Sequence, residues 1–417
     1  MKFVFISTPT FEPWDWTNPD RQGIGGSETS HIEMAQRLAR LGHDVVSFAP
    51  TANRGDYLID PAGVRWFNFE DAAAQVKEYG QFVERIGGPA IWVIYRAPEL
   101  IDFVPEGNPC WLICQDTDYT RAGQQLTPER IAKLTRLVAL CKTQQDFYHA
   151  KYPSARVSLS SNGIKRQLIE EIAAFRPERN PHRLMYASSP DRGMDNLLEI
   201  FPRLREMVPD AELHIYYGFD NIEKVVAFCG KNSRVALKTD RLRALLEQPG
   251  VTFHGRLGQP ELLREWFKAG LWVHPSNFTE TSCITCMDAQ ACGAIPVTGP
   301  VWAIAENVQH GTFVEGNVNN PLVKARYIME AFKLMVQPEL QEEIRADMMP
   351  WALETFDWDI FAHQWQGWAR QDTQNTLNNT TGSATCDRRA DSEPEEAWND
   401  VKPAQNAPTH QLEVALL

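Results

Sequence analysis

The apolar positions of this chain come in short continuous runs, separated by turn residues and by longer stretches of helical periodicity. Residues 2–7 read as a first strand. A long loop through Trp14, Trp16 and Pro19 ends in Gln22-Gly23-Ile24-Gly25-Gly26-Ser27-Glu28. Residues 29–41 then place Ile32, Ala35, Leu38 and Ala39 on one side of a helix, and Gly42 stops it. Residues 45–49 form the second strand. Strand, glycine-rich loop, helix, strand is a βαβ unit. It is not the dinucleotide fingerprint, because GxGxxG is missing and the loop before the glycines is too long.

The alternation continues. Residues 64–67, 91–95, 111–114, 137–140 and 157–159 read as strands, with helices over 71–86 and near 127–136 and 143–150. Apolar strands of this kind suit a mostly parallel sheet covered on both faces. Polar groups just past strand ends are then the places to look for a site: Arg96, then Gln115, Asp116 and Asp118, then Ser161-Asn162-Gly163. A polar, proline-containing stretch at 174–182 marks a boundary. A second series follows, with strands at 184–187, 213–217, 251–253, 271–274 and 294–297 and helices between them. The fold class is therefore α/β, with one domain over 1–175 and a second over 176–350. Residues 351–370 are aromatic-rich and must bury their rings. Residues 371–417 are polar and acidic and read as a disordered tail.

Length and charge narrow the function. At 417 residues the chain can build two full cores, and a net charge of −13 carries no basic nucleic-acid footprint. No apolar run is long enough for a membrane span, and MKFVFISTPTFEPW is too short in apolar residues for a signal peptide. The eight cysteines have no regular spacing, so reduced thiols and a cytoplasmic location are expected. Cys283 and Cys286 form a CxxC, but no second pair stands at zinc spacing, which favours packed thiols over a metal or redox centre.

The most informative stretch is 275–299, PSNFTETSCITCMDAQACGAIPVTG. It lies between two strands and holds Glu280, a short small-residue helix and Asp288. Helix N-termini collect anions, because their first amides lack partners and the backbone dipole points the same way. Amides of Thr281, Ser282 and Cys283 beside Glu280, with Asp288 two turns further on, suit a polyhydroxylated, phosphorylated ligand. Glu280 alone reads equally well as an ordinary acid at a helix start.

Taken together these motifs resemble the retaining, GT-B-fold nucleotide-sugar glycosyltransferases of family 4, over residues 1–370. The resemblance rests on Glu280 and Asp288 in the family's two acidic positions, on Ala291-Cys292-Gly293-Ala294-Ile295-Pro296-Val297, and on Gly25-Gly26-Ser27-Glu28. Asn162-Gly163, Arg192-Gly193, His254-Gly255-Arg256 and Phe356-Asp357-Trp358 add to it. It implies two Rossmann-like domains facing a cleft, with residues 351–370 crossing back to the first domain. It implies a UDP- or GDP-sugar donor, transfer of a hexose to an acceptor hydroxyl with retained configuration, and no catalytic metal or other cofactor. Glu280 would hold the sugar hydroxyls and Asp288 the ribose. Arg192 and the amides of Ser282 and Cys283 would hold the diphosphate, approached by Gly25 and Gly26; Thr281 belongs to the same donor site, and Arg256 would line the base pocket. Glu280, Arg192 and Asp116 are the expected catalytic residues.

The sequence departs from the family in four places, one of them the arginine that relatives carry near position 187, where this chain reads Ala187-Ser188-Ser189. Asp288 replaces a Glu, Thr281-Ser282-Cys283 replaces Gly-Phe-Gly, and Gln115-Asp116 stands where relatives have His-Asp. Gln carries no charge and cannot act as a base, which throws more weight on Asp116 and keeps a non-catalytic nucleotide- or sugar-binding scaffold in view. A sugar-nucleotide epimerase or a phosphorylase shares the architecture, but the spacing of Glu280 and Asp288 weighs against the first and the second lacks an identifiable cofactor lysine. The acceptor and the oligomeric state stay open; a nucleic-acid base remains among the acceptor classes although the net charge does not point to one. The aromatic loop 11–16 is a candidate to stack on an acceptor, or simply packs. His31 is read as either core or cleft-facing.

Overall fold

The computed structural model describes residues 1–7, 12–53, 57–69, 89–120 and 123–380. The helix expected over 71–86 lies outside the described residues, as does Phe11.

Two sheets organise the described chain. The first has strands β1 (Lys2–Ser7), β2 (Asp44–Ala49), β3 (Leu58–Ile59), β4 (Arg65–Asn68), β5 (Ile91–Tyr95), β6 (Cys110–Ile113), β7 (Arg136–Ala139) and β8 (Val157–Leu159). Their order is β3-β4-β2-β1-β5-β6-β7-β8, and every pairing is parallel except β3 with β4. The second sheet has β9 (Asn180–Tyr186), β10 (Glu212–Tyr216), β11 (Val251–Gly255), β12 (Ala269–His274), β13 (Ile295–Thr298) and β14 (Thr312–Phe313), all parallel, in the order β11-β10-β9-β12-β13-β14. Strands β1, β5, β6 and β12 are buried almost throughout, which is why they read as continuous apolar runs.

Each sheet reverses its strand order once, between β1 and β5 and between β9 and β12. Crevices at the carboxyl ends of strands form at such switch points. The four segments that leave these strands carry the glycine loop, Arg96, Arg192 and Glu280, so topology alone gathers the expected site.

Helix α1 (Gly26–Arg40) starts three residues earlier than its periodicity predicts. It ends in a Schellman turn: Gly42 has φ +84°, its N–H donates to the Ala39 carbonyl, and His43 N–H donates to that of Leu38. His31 is core. Its Nδ1 meets Ser7 Oγ at 2.9 Å and its Nε2 meets Ser47 Oγ at 2.7 Å, and burial pushes its pKa down to about 3. Trp14 packs edge-on against His31 and Trp66, and Trp16 also lies against Trp66. The described rings of the 11–16 loop thus point into the core.

The C-terminal helix Trp358–Thr380 lies on the first sheet, burying Phe361, Trp365 and Trp368. Trp365 and Trp368 both meet Trp111 of β6 edge-on, at 5.8 and 6.0 Å. This helix corrects the expectation that order ends at residue 370. Asp372 is fully buried. Its carboxylate accepts from Arg136 Nε (2.7 Å) and Trp111 Nε1 (2.8 Å) on one oxygen, and from Arg136 Nη2 and Arg156 Nη1 (both 3.1 Å) on the other. A charge taken out of water needs such a set of partners, and here the partners hold the last described helix to the first domain. Residues 381–417 lie outside the described part.

Candidate active site

Helix α2 (Lys142–Lys151) of the first domain and helices α3 (Ile284–Ala291) and α4 (Ala303–Asn307) of the second frame the cleft. The small residues of the 284–294 stretch explain its position: Cys286, Met287, Ala289 and Ala291 are buried, letting α3 sit close under the site. Cys283 is the N-cap, but no side chain caps the helix. The cysteines here are buried thiols whose pKa values burial pushes well above the ordinary one.

Glu280 and Arg192 meet at the mouth of the cleft, Arg192 Nε lying 3.4 Å from Glu280 Oε1. Arg192 also pairs with Asp191, and its guanidinium lies 3.3 Å over the centre of the Phe278 ring. The Glu280 carboxyl is pushed up to about 7 by burial, which the Arg192 charge opposes and Asp191 reinforces. Gly193, φ +97°, lets the Arg192 loop press on β12: a Cβ there would stand 2.6 Å from the Pro275 carbonyl oxygen.

Asp288 faces inward from α3 and is only 4% exposed. Its Oδ1 has no protein partner, and burial raises its pKa to about 7 against the pull of Lys165 and a Gln259 hydrogen bond. Lys165 itself pairs with Asp20 (2.9 Å) and Glu33 (3.3 Å) of the first domain. A buried carboxylate oxygen without a partner is costly unless a ligand completes it.

The remaining expected residues have protein partners. Thr281 Oγ1 donates to the Gln115 carbonyl at 3.0 Å. Ser282 Oγ accepts from Asn162 N–H at 3.1 Å and meets Ser161 Oγ at 3.3 Å. These hydroxyls join the two domains, a role the resemblance did not assign. Arg256 stacks on Tyr217, 5.3 Å from the ring centre, and reaches Glu12 of the first domain at 2.6 Å. Gly25 and Gly26 form the cap and first residue of α1, and neither has positive φ. Neither needs glycine for want of room: a Cβ on Gly26 would lie in ordinary contact, 3.6 Å from Ile284 Cδ1 at the start of α3, and one on Gly25 would meet only the movable side chain of Glu28.

Asp116 is bound differently from what was expected of a catalytic carboxylate. Arg96 grips it at both oxygens, Nε and Nη2 each 2.8 Å away, and reaches Ser27 Oγ at 3.3 Å. Arg96 holds φ +60°, an uncommon conformation for a side-chain-bearing residue. Gln115 Nε2 donates to Asn162 Oδ1 at 3.1 Å. Among the described residues no group of three or more His, Cys, Asp or Glu could hold a metal ion, and no helix is long and apolar enough to cross a membrane.

Residues 182–337 match the family model described as Glycosyl transferases group 1. No curated protein sequence matches the chain. Among solved structures, sucrose-phosphate synthase from Thermosynechococcus elongatus superposes with a TM-score of 0.66 at 14% identity, over 89% of this chain and 98% of that one. A UDP-forming α,α-trehalose-phosphate synthase from Burkholderia vietnamiensis gives 0.63 at 9% identity, over 92% and 99%. HepE from Anabaena, solved with UDP and glucose, gives 0.58 at 15% identity, over 89% and 100%. The fold is GT-B. Within a GT-B fold the matched segment 182–337 contains Arg192, Arg256, Glu280 and Asp288, so the family signal and the two buried carboxyls with raised pKa fall on the same domain.

Sequence reasoning did not single out Glu12, Lys165, Gln259 or Glu306. No local motif marks them: Glu12, Lys165 and Glu306 act through partners more than 90 residues away in the chain, and Gln259 through Asp288 of the next helix.

Proposed function

We propose that this protein is a retaining, family-4-type glycosyltransferase that transfers a hexose from a UDP- or GDP-sugar to an acceptor hydroxyl. The observation that carries the reading is the meeting of Glu280 with Arg192 at the start of the uncapped helix α3. When the bond between the anomeric carbon and the diphosphate breaks, negative charge grows on the leaving oxygen. A guanidinium and free amides already aimed there stabilise it without reorganisation, one such donor being worth about 3–4 kcal/mol. The positive groups at this site are the protein's own, and the reading assigns no catalytic metal. Glu280 accepts hydroxyls of the transferred sugar, and Asp288 Oδ1 accepts a ribose hydroxyl. Arg256 and Tyr217 border the base. That HepE was solved with UDP and glucose supports this donor class for the fold. A cytoplasmic location goes with the reading.

One observation favours a second reading, a nucleotide- or sugar-binding scaffold: Gln115 cannot act as a base and Asp116 is already engaged by Arg96. Incubation with UDP-glucose, UDP-galactose, UDP-N-acetylglucosamine and GDP-mannose, with and without magnesium, separates the two. Release of nucleotide from one donor, lost in Glu280→Ala, is the result expected of the transferase. Tight nucleotide binding with no release, even when acceptors are supplied, is the scaffold's result.

A further inference from the structure

Helix α4 leaves β13 by way of Trp302, whose φ of +49° is rare for a bulky residue. The segment touches three parts of the cleft at once. Ala303 N–H donates to the carbonyl of Glu280 at 3.1 Å. The Trp302 ring lies 6.0 Å from Phe147 on α2. Glu306, four residues past Trp302, crosses to the first domain and takes the N-terminus of α2. Its Oε2 accepts from Lys142 N–H at 2.6 Å, and its Oε1 accepts from Thr143 N–H at 2.8 Å and Thr143 Oγ1 at 2.7 Å. A carboxylate at a helix N-terminus gains from both charge-assisted hydrogen bonds and the helix dipole. Helix α2 in turn governs the opposite wall. Gln144 Nε2 donates to the carbonyls of Cys114 (3.0 Å) and Asp116 (2.9 Å), and Tyr148 OH also donates to Asp116 (3.2 Å).

We infer that Glu306 is a positioning residue: its carboxylate, seated across the cleft on the N-terminus of α2, latches the two domains together and so brings Glu280 and the Gln115–Asp116 loop into one site. A polar side chain placed three bonds deep in another domain's helix start is specific to the closed arrangement. The same carboxylate in an open cleft would be hydrated and would leave Lys142 and Thr143 amides to water. The latch therefore favours the closed form before any ligand arrives, and ligands that need both walls bind more tightly by the fraction of protein already closed.

The inference uses the glycosyl-transfer reading only for its kinetic readout, and its first test does not depend on that reading. Small-angle scattering of the ligand-free full chain is compared for wild type, Glu306→Gln and Glu306→Ala. Glu306→Ala is expected to give a larger radius of gyration, and Glu306→Gln, which keeps an accepting oxygen, an intermediate one. Titration with UDP then reads the coupling: about tenfold weaker binding in Glu306→Ala, partly rescued in Glu306→Gln. With a turned-over donor, KM rises while kcat is held, because saturating ligand recloses the cleft. A variant whose scattering matches wild type overturns the inference, as does a loss of kcat at unchanged KM, which is the mark of a partly unfolded preparation. If wild type binds neither UDP nor GDP, the nucleotide reading fails while the scattering comparison still decides the latch.

Discussion

Replacing Asp288 by Asn should stabilise the ligand-free protein, and should do so only where the carboxylate would be charged. Asp288 is buried, one of its oxygens has no partner, and its pKa rises from 3.8 to about 7 because burial outweighs the help of Lys165, while Glu33 opposes ionisation further. The sign follows from proton uptake. Between pH 3.8 and about 7 the folded state holds a proton on Asp288 that the unfolded state has lost, so stability falls as pH rises through that window and is flat above it. A gap of about 3 pH units at about 1.4 kcal/mol each sets a ceiling of about 4 kcal/mol. Asn keeps the shape and a polar group to bury, so a gain of about 1–2 kcal/mol at pH 8 is expected. That corresponds to a rise of about 3–6 °C in Tm. Melting curves of wild type and Asp288→Asn from pH 4 to 8 test this: the two should nearly coincide at pH 4 and diverge up to pH 7. Glu280 contributes a residual slope of the same sign in both proteins, since its pKa is raised for the same reason. A variant no more stable than wild type at pH 8, or equally offset at pH 4 and pH 8, would refute the argument. The same variant should lose nucleotide affinity, as stabilising a binding site in its empty state usually costs function.

Asp372→Ala leaves the buried Arg136 guanidinium without its carboxylate, and chemical denaturation should show a loss of about 3–5 kcal/mol from the unit that carries the first sheet; a loss under about 1 kcal/mol would mean the C-terminal turns are not anchored there. Asp116→Asn should lower kcat by less than about tenfold and leave the pH–rate profile in place, because the carboxylate is held at both oxygens by Arg96. A general base would cost about 10²–10⁴ on removal and would take one limb of the profile with it.

The fold was largely legible because most of its strands are buried on both faces; the short edge strands β3 and β14, partly or fully exposed, were not read from the pattern. Val4, Trp92, Leu112 and Trp272 leave no polar alternation to mislead, and the strand limits read from the pattern fall within a few residues of those observed. The relative placement of Glu280, Cys283 and Asp288 was legible for a related reason: they share one strand–loop–helix segment, so local spacing fixes their relation. What was not legible depends on distant partners. Residues after 370 look polar and acidic, yet Asp372 finds Arg136 across 236 positions of sequence. The glycines at 25 and 26 suggest a turn or a close approach, whereas they open α1 without positive φ, and a Cβ on Gly26 would sit in ordinary contact with Ile284. Gly258 carries no motif, but a Cβ there would stand 2.0 Å from the Asp20 carbonyl oxygen, so it marks a close approach between domains.

The two walls of the cleft differ in how far the protein satisfies itself, and that difference sets an order of events. On the second domain, Asp288 Oδ1 lacks a partner and both Glu280 and Asp288 are held toward their neutral forms by burial. On the first, Arg96 neutralises Asp116, Gln115 pairs with Asn162, and Gln144 fixes the loop carbonyls. On the proposed reading, energy is therefore available for a donor, whose hydroxyls would supply what the second domain lacks. An acceptor arriving alone would meet a wall whose polar groups already bond one another, and would have to displace them. Once the donor is seated, its sugar adds new surface in front of that wall. Initial-rate kinetics should accordingly show ordered binding, donor first, with the nucleotide product competing against donor and not against acceptor. Random order with equal affinity for acceptor in the absence of donor would mean that the Arg96–Asp116 wall opens freely, and that the pairing seen there plays no part in the sequence of binding.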